Sequence, residues 1–128
     1  VVVPPRDFGI GPIARVHDEA FVAFLRGAFE KFKEKHGRDV VEAFPSSWPA
    51  RRLRQIPGKD IDGIMGYYCF DTATPILDGT WNAAREAVNC ALTAAEHVAE
   101  AGQPAFALCR PPGHHAAQDL YGGYCFFN

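Results

Sequence analysis

Two adjacent histidines, His114 and His115, follow an Arg110-Pro111-Pro112-Gly113 run, and they are the residues of this 128-residue chain best suited to chemistry. The prolines fix their own φ angles and restrict the residues before them. Gly113 permits the sharp turn that follows. Two imidazoles are thereby delivered from a stiff backbone. Such a pair can ligate a metal, bond to backbone as a structural feature, or move protons. Metal ligation needs three or four converging donors, whereas adjacent side chains in an extended segment diverge. Only Asp119 stands close enough in sequence to join the pair. Acid–base work suits two neighbouring imidazoles better. In amide hydrolysis one accepts a proton from the attacking water, and an imidazolium gives one to the leaving amine.

The elements that must position this loop can be read outward from it. Ala105-Phe106-Ala107-Leu108-Cys109 is short, apolar and preceded by Gly102-Gln103-Pro104, as expected of a central parallel strand. In open α/β sheets ligands collect at the carboxyl ends of strands, which is where the histidines fall. Upstream, Thr80 is expected to cap an alanine-rich helix from Trp81 to Ala101, closed by Gly102. Its apolar residues run almost all round, which predicts burial against a sheet. A second amphipathic helix is expected from the cap Asp18. Phe21, Phe24, Leu25, Ala28, Phe29 and Phe32 mark its apolar face, and it ends near Gly37. Val1-Val2-Val3 before Pro4-Pro5 reads as the tail of a strand. Helix followed by buried strand predicts an α/β sheet.

Residues 38–79 show no sustained period and are interrupted by Pro45, Pro49, Pro57, Gly58, Gly63 and Gly66. Their aromatics, Phe44, Trp48, Tyr67, Tyr68 and Phe70, argue for an ordered functional loop rather than disorder. The basic run Arg51-Arg52-Leu53-Arg54 reads as a solvated loop. A net charge of −2 creates no global field for nucleic acid or an anionic membrane. The four cysteines form no C-x-x-C pair, which excludes zinc-ribbon spacing. Cys90 and Cys109 read as small buried hydrophobes in a reducing, cytoplasmic setting. Chain size, and the aromatic run that leads directly to Asn128, lead us to expect a piece of a larger domain.

Taken together, Arg110-Pro111-Pro112-Gly113-His114-His115-Ala116 and Gly122-Gly123-Tyr124-Cys125-Phe126-Phe127-Asn128 resemble the tandem-histidine and tunnel-wall motifs of the histone deacetylase superfamily. Val16-His17-Asp18-Glu19-Ala20-Phe21-Val22 resembles that family's early helix start. Gly66-Tyr67-Tyr68-Cys69, Thr74-Pro75-Ile76 and Gly79-Thr80-Trp81 resemble its acetylpolyamine amidohydrolase branch. The resemblance covers the whole chain and corresponds to the N-terminal half or less of the family's catalytic domain. It implies part of a three-layer α/β/α arginase/deacetylase-like fold with a mostly parallel sheet.

The resemblance also implies roles. His114 and His115 become the acid–base pair, Gly123 offers its carbonyl to the substrate amide, and Tyr124 walls the channel that holds the aliphatic chain. Asp62, and after it Asp71, are the loop acids expected to meet the cation of a small acetylated amine. The long loop is expected to build a homodimer. The implied activity of the full-length protein is zinc-dependent hydrolysis of N-acetylated polyamines. A protein acetyl-lysine or other small-amide deacetylase is the alternative within that chemistry, and a non-catalytic binding module is the alternative of another class. The family's zinc ligands and oxyanion tyrosine have no counterparts here, since no Asp-x-His occurs. By itself this stretch is expected to hydrolyse nothing.

Overall fold

The computed structural model describes residues 1–128 and contains four helices, α1 (Gly11–Val16), α2 (Glu19–His36), α3 (Ile61–Tyr68) and α4 (Thr80–Ala101). Helix α2 forms where the three-and-four spacing of apolar residues predicts it. The Asp18 carboxylate accepts from the Ala20 and Phe21 amides at its start, and Gly37 ends it. Its buried face comprises Phe21, Phe24, Leu25, Ala28 and Phe29. Each Phe or Leu so buried contributes roughly 1.5–3 kcal/mol.

That face meets α3, an element hidden in the irregular stretch. Two glycines weaken the helical signal there, yet tertiary packing requires one of them. A Cβ on Gly66 would lie 1.6 Å from the Ser47 carbonyl oxygen, so only glycine lets the 47–48 backbone cross this helix. Asp60 caps α3 by accepting from the Asp62 amide. Seven of the sixteen core residues are aromatic. Phe24 stacks on Tyr68 at 4.8 Å between ring centroids, Phe21 lies 5.5 Å from Tyr68, and Tyr121 stacks on Phe126 at 5.5 Å. Single bridges tie the irregular segments to this core, joining Ala43 to Ile76 and Cys69 to Tyr121.

The expected sheet is absent, which overturns both the α/β class and the three-layer arginase/deacetylase-like arrangement. No β-strand forms, only isolated bridges. The physical reason lies in the backbone. A strand persists when its N–H and C=O groups are paired along a ladder, and residues 105–109 make no backbone–backbone hydrogen bond. Phe106 and Leu108 are 86% and 72% exposed, and Val1, Val2 and Val3 are exposed beside them. Helix α4 is correspondingly not buried against a sheet, and its only buried residues are Thr80, Ala84 and Asn89. Gly79 occupies its cap position, and Thr80, the expected cap, is its first residue. The Thr80 hydroxyl accepts from the Leu77 amide instead.

Candidate functional site

The histidine loop is anchored by a residue far away in sequence. His17, at the junction of α1 and α2, is 4% exposed. Its Nε2 accepts from the Asn128 amide at 2.9 Å, so that nitrogen carries no proton. Its Nδ1–H then donates to the Gln118 carbonyl at 3.1 Å. Burial pushes the His17 pKa down and outweighs the raising effect of the backbone bonds to Gln118 and Ala117. The neighbouring Asp18 amide donates to the same Gln118 carbonyl, and the Asn128 side chain donates to Ala116. The loop carrying His114 and His115 is therefore pinned at Ala116 and Gln118.

His114 and His115 are exposed, with ring centroids 4.3 Å apart and planes inclined at 57°. The Gly122-Gly123-Tyr124 turn packs directly against them. A Cβ on Gly123 would stand 2.6 Å from His115 Cδ2, and Gly123 itself has φ +57°. Glycine is thus required on two counts, left-handed backbone and contact with the imidazole. Tyr124 follows with φ 61°, uncommon for a residue with a side chain. Its side chain is 60% exposed. The Gly123 carbonyl meets only the weak Cys125 thiol donor, at 3.5 Å.

Asp71 lies behind this turn. One carboxylate oxygen accepts from the Ala73 and Thr74 amides, both at 3.0 Å. The other accepts from the Thr74 hydroxyl at 2.9 Å and from the Gly123 amide. The fully buried Thr74 oxygen in turn accepts from the Tyr124 amide at 2.9 Å. Burial pushes the Asp71 carboxyl up, but donation from Gly123, Ala73 and Thr74 outweighs it and holds the pKa below the ordinary value. Beneath lies Tyr121, its hydroxyl buried without a hydrogen-bond partner and its pKa driven far up by burial.

Asp71, Gly123, Tyr124, His115 and His114 thus form one continuous set, whereas Asp62 sits elsewhere. It lies in the first turn of α3 and is bonded to Lys35 and His36 at the end of α2. Burial raises its pKa, and the hydrogen bonds from those two side chains outweigh this and lower it. Sequence reasoning missed the anchoring roles of His17, Thr74 and Asn128. His17 carried a signal only through its motif, and nothing local in the sequence marks Thr74.

The metal-dependent reading does not survive this geometry. No group of three or more His, Cys, Asp and Glu side chains converges to hold a metal. His114, His115 and Asp119 therefore do not fit a catalytic zinc, and the sheet expected to support the site is missing. Zinc-dependent hydrolysis of N-acetylated polyamines, and with it the assignment as a metal-dependent amidohydrolase, is overturned for these residues. No helix is long and apolar enough to cross a membrane.

Comparison with known proteins identifies the ancestry. The histone deacetylase domain matches residues 1–128. The chain is 51% identical to acetylpolyamine amidohydrolase 2 of Pseudomonas aeruginosa, over 97% of this chain and 36% of that protein. It is 41% identical to the acetylpolyamine amidohydrolase of Mycoplana ramosa, over 99% of this chain and 37% of that protein. The crystal structure of an acetylpolyamine aminohydrolase from Burkholderia pseudomallei matches with a TM-score of 0.86 and 37% identity, covering 100% of this chain and 36% of that one. This chain spans little more than a third of the length of these relatives. Zinc-dependent chemistry is suggested by the family, not by a metal site among these residues. The chain belongs to the histone deacetylase family and is closely related to the bacterial acetylpolyamine amidohydrolases.

Proposed function

We propose that these residues act as a non-catalytic binding module that receives the amide end of a small, cationic acetylated amine. The observation that carries this reading is the continuity of the Gly123–Tyr124 turn with the exposed imidazole pair. The Gly123 carbonyl, met only by a weak thiol donor, is available to accept from the ligand's amide N–H. The Tyr124 ring offers an apolar wall to its alkyl chain. His114 and His115 hydrogen-bond the acetyl carbonyl. Where zinc serves the family's chemistry, its ligands are residues other than these. The class of ligand is taken from the relatives' names.

Titration of the protein with N-acetylputrescine, followed by amide NMR, tests this reading. Saturable shifts at Gly123, Tyr124 and the histidine loop are expected, with putrescine and an acetyl-lysine peptide binding more weakly. Absence of saturation at those positions, or preference for the peptide, refutes it. We also propose that the 38–79 segment mediates a homodimer. Phe44, Trp48 and Phe70 present exposed aromatic surface there, of the kind enriched at interfaces. Sedimentation equilibrium showing a monomer at all concentrations would exclude it.

A further inference from the structure

We propose that Asp71 and Thr74 are positioning residues, a half-buried clamp that holds the Gly123–Tyr124 turn in its left-handed conformation and so sets the wall against which His115 rests. This deepens the binding reading above and assigns Asp71 a role different from that of a partner for the ligand's cation.

Two consecutive residues with positive φ, Gly123 at +57° and Tyr124 at 61°, are costly for the second, which bears a side chain. Such a turn persists when its surroundings over-determine it. Here its amides are taken one by one. The Gly123 N–H goes to one Asp71 oxygen, and the Tyr124 N–H goes to the Thr74 hydroxyl oxygen. The Thr74 hydroxyl proton returns to that same Asp71 oxygen. The other Asp71 oxygen is held by the Ala73 and Thr74 amides. Each donor and acceptor in the circuit is matched, and Thr74 is fully buried. Hydrogen bonds to an ionised carboxylate are roughly twice as strong as neutral ones. With four donors directed at it, the Asp71 carboxylate has little remaining capacity for a ligand ammonium. Its effect on a ligand passes through the turn. Releasing the turn would swing the Gly123 carbonyl and the Tyr124 ring, and would free His115 from the backbone it rests on.

The test compares Asp71→Asn, Thr74→Val and Thr74→Ser in the 128-residue chain, with N-acetylputrescine and neutral N-butylacetamide as ligands. Thr74→Val and Asp71→Asn are expected to shift the Gly123 and Tyr124 amide and His115 ring resonances while leaving the α2 amides in place. Each should weaken both ligands by about ten-fold, the scale of one lost charge-assisted bond. Thr74→Ser, which keeps the hydroxyl, should restore both measurements. Loss confined to the cationic ligand in Asp71→Asn would overturn the proposal and make Asp71 a cation partner. Unmoved Gly123 and Tyr124 resonances in Thr74→Val would overturn it as well. If the unaltered protein binds neither ligand, the binding reading fails, and the resonance shifts still decide whether the clamp exists.

Discussion

Removing the His17 imidazole should detach the histidine loop from the helical core, and its cost can be worked from the contacts it makes. In His17→Ala the Asn128 amide loses its acceptor at 2.9 Å, and an orphaned, partly buried N–H costs about 1–3 kcal/mol. The Gln118 carbonyl loses less, because the Asp18 amide still donates to it at 3.0 Å. The ring also packs between Phe21 and Phe127, at centroid distances of 5.7 and 5.2 Å, and its removal adds a cavity cost of order 1–2 kcal/mol. The expected total is about 3 kcal/mol, a large share of a typical stability of roughly 5–15 kcal/mol. His17→Phe keeps a ring between its aromatic neighbours and should retain the packing while losing the polar part. Urea denaturation followed through Trp81, whose ring lies 5.8 Å from that of Phe127, measures both variants. The pH profile gives a second reading. The folded pKa of His17 is lowered below the ordinary 6.5 by burial, so the unfolded chain takes up the proton first. Its contribution is full above pH 6.5 and is lost as the pH falls through the folded value. His17→Phe should lack that component of acid destabilisation. A loss below about 0.5 kcal/mol in His17→Ala, within the range of ordinary surface substitutions, would refute the anchoring role.

Gly123→Ala places a Cβ 2.6 Å from the His115 ring in left-handed backbone. It should cost about 1–2 kcal/mol from the backbone alone and displace the exposed His115 ring. An equally stable variant with unmoved His115 resonances would contradict the packing described. The Gly123 amide proton should titrate with Asp71 at a midpoint below the ordinary carboxylate value of 3.8. The stabilisation from Asp71 is present above that value and is lost as the pH falls through the folded pKa. The other titratable groups facing Asp71, the Cys69 thiol and Tyr121 phenol, have raised pKa values and stay neutral in that range. A midpoint at or above 3.8 would show that the carboxylate is not held by these donors.

Local patterning was enough to read α2, because its information lies within the helix itself. The Asp18 cap, the Phe and Leu spacing and the Gly37 stop all sit within one stretch of chain, and the structure uses each of them. The Pro-Pro-Gly-His-His and Gly-Gly-Tyr-Cys-Phe-Phe motifs likewise identified the family directly, since both are contiguous. Helix α3 escaped because Gly63 and Gly66 depress its local signal, and the reason for Gly66 is a contact with Ser47.

What tertiary structure alone decided is pairing between distant residues. A run such as Ala105–Cys109 has the composition of a strand, but a strand is a property of two backbones, and no partner pairs with it here. The convergence of Asp71 on Gly123, 52 residues apart, and of His17 on Asn128, 111 apart, leaves no trace in spacing or composition. Sequence could name His114 and His115 as the residues with chemistry to offer. Only the folded chain shows what holds their loop, because hydrogen bonds between distant segments depend on where the packed core brings the backbone together.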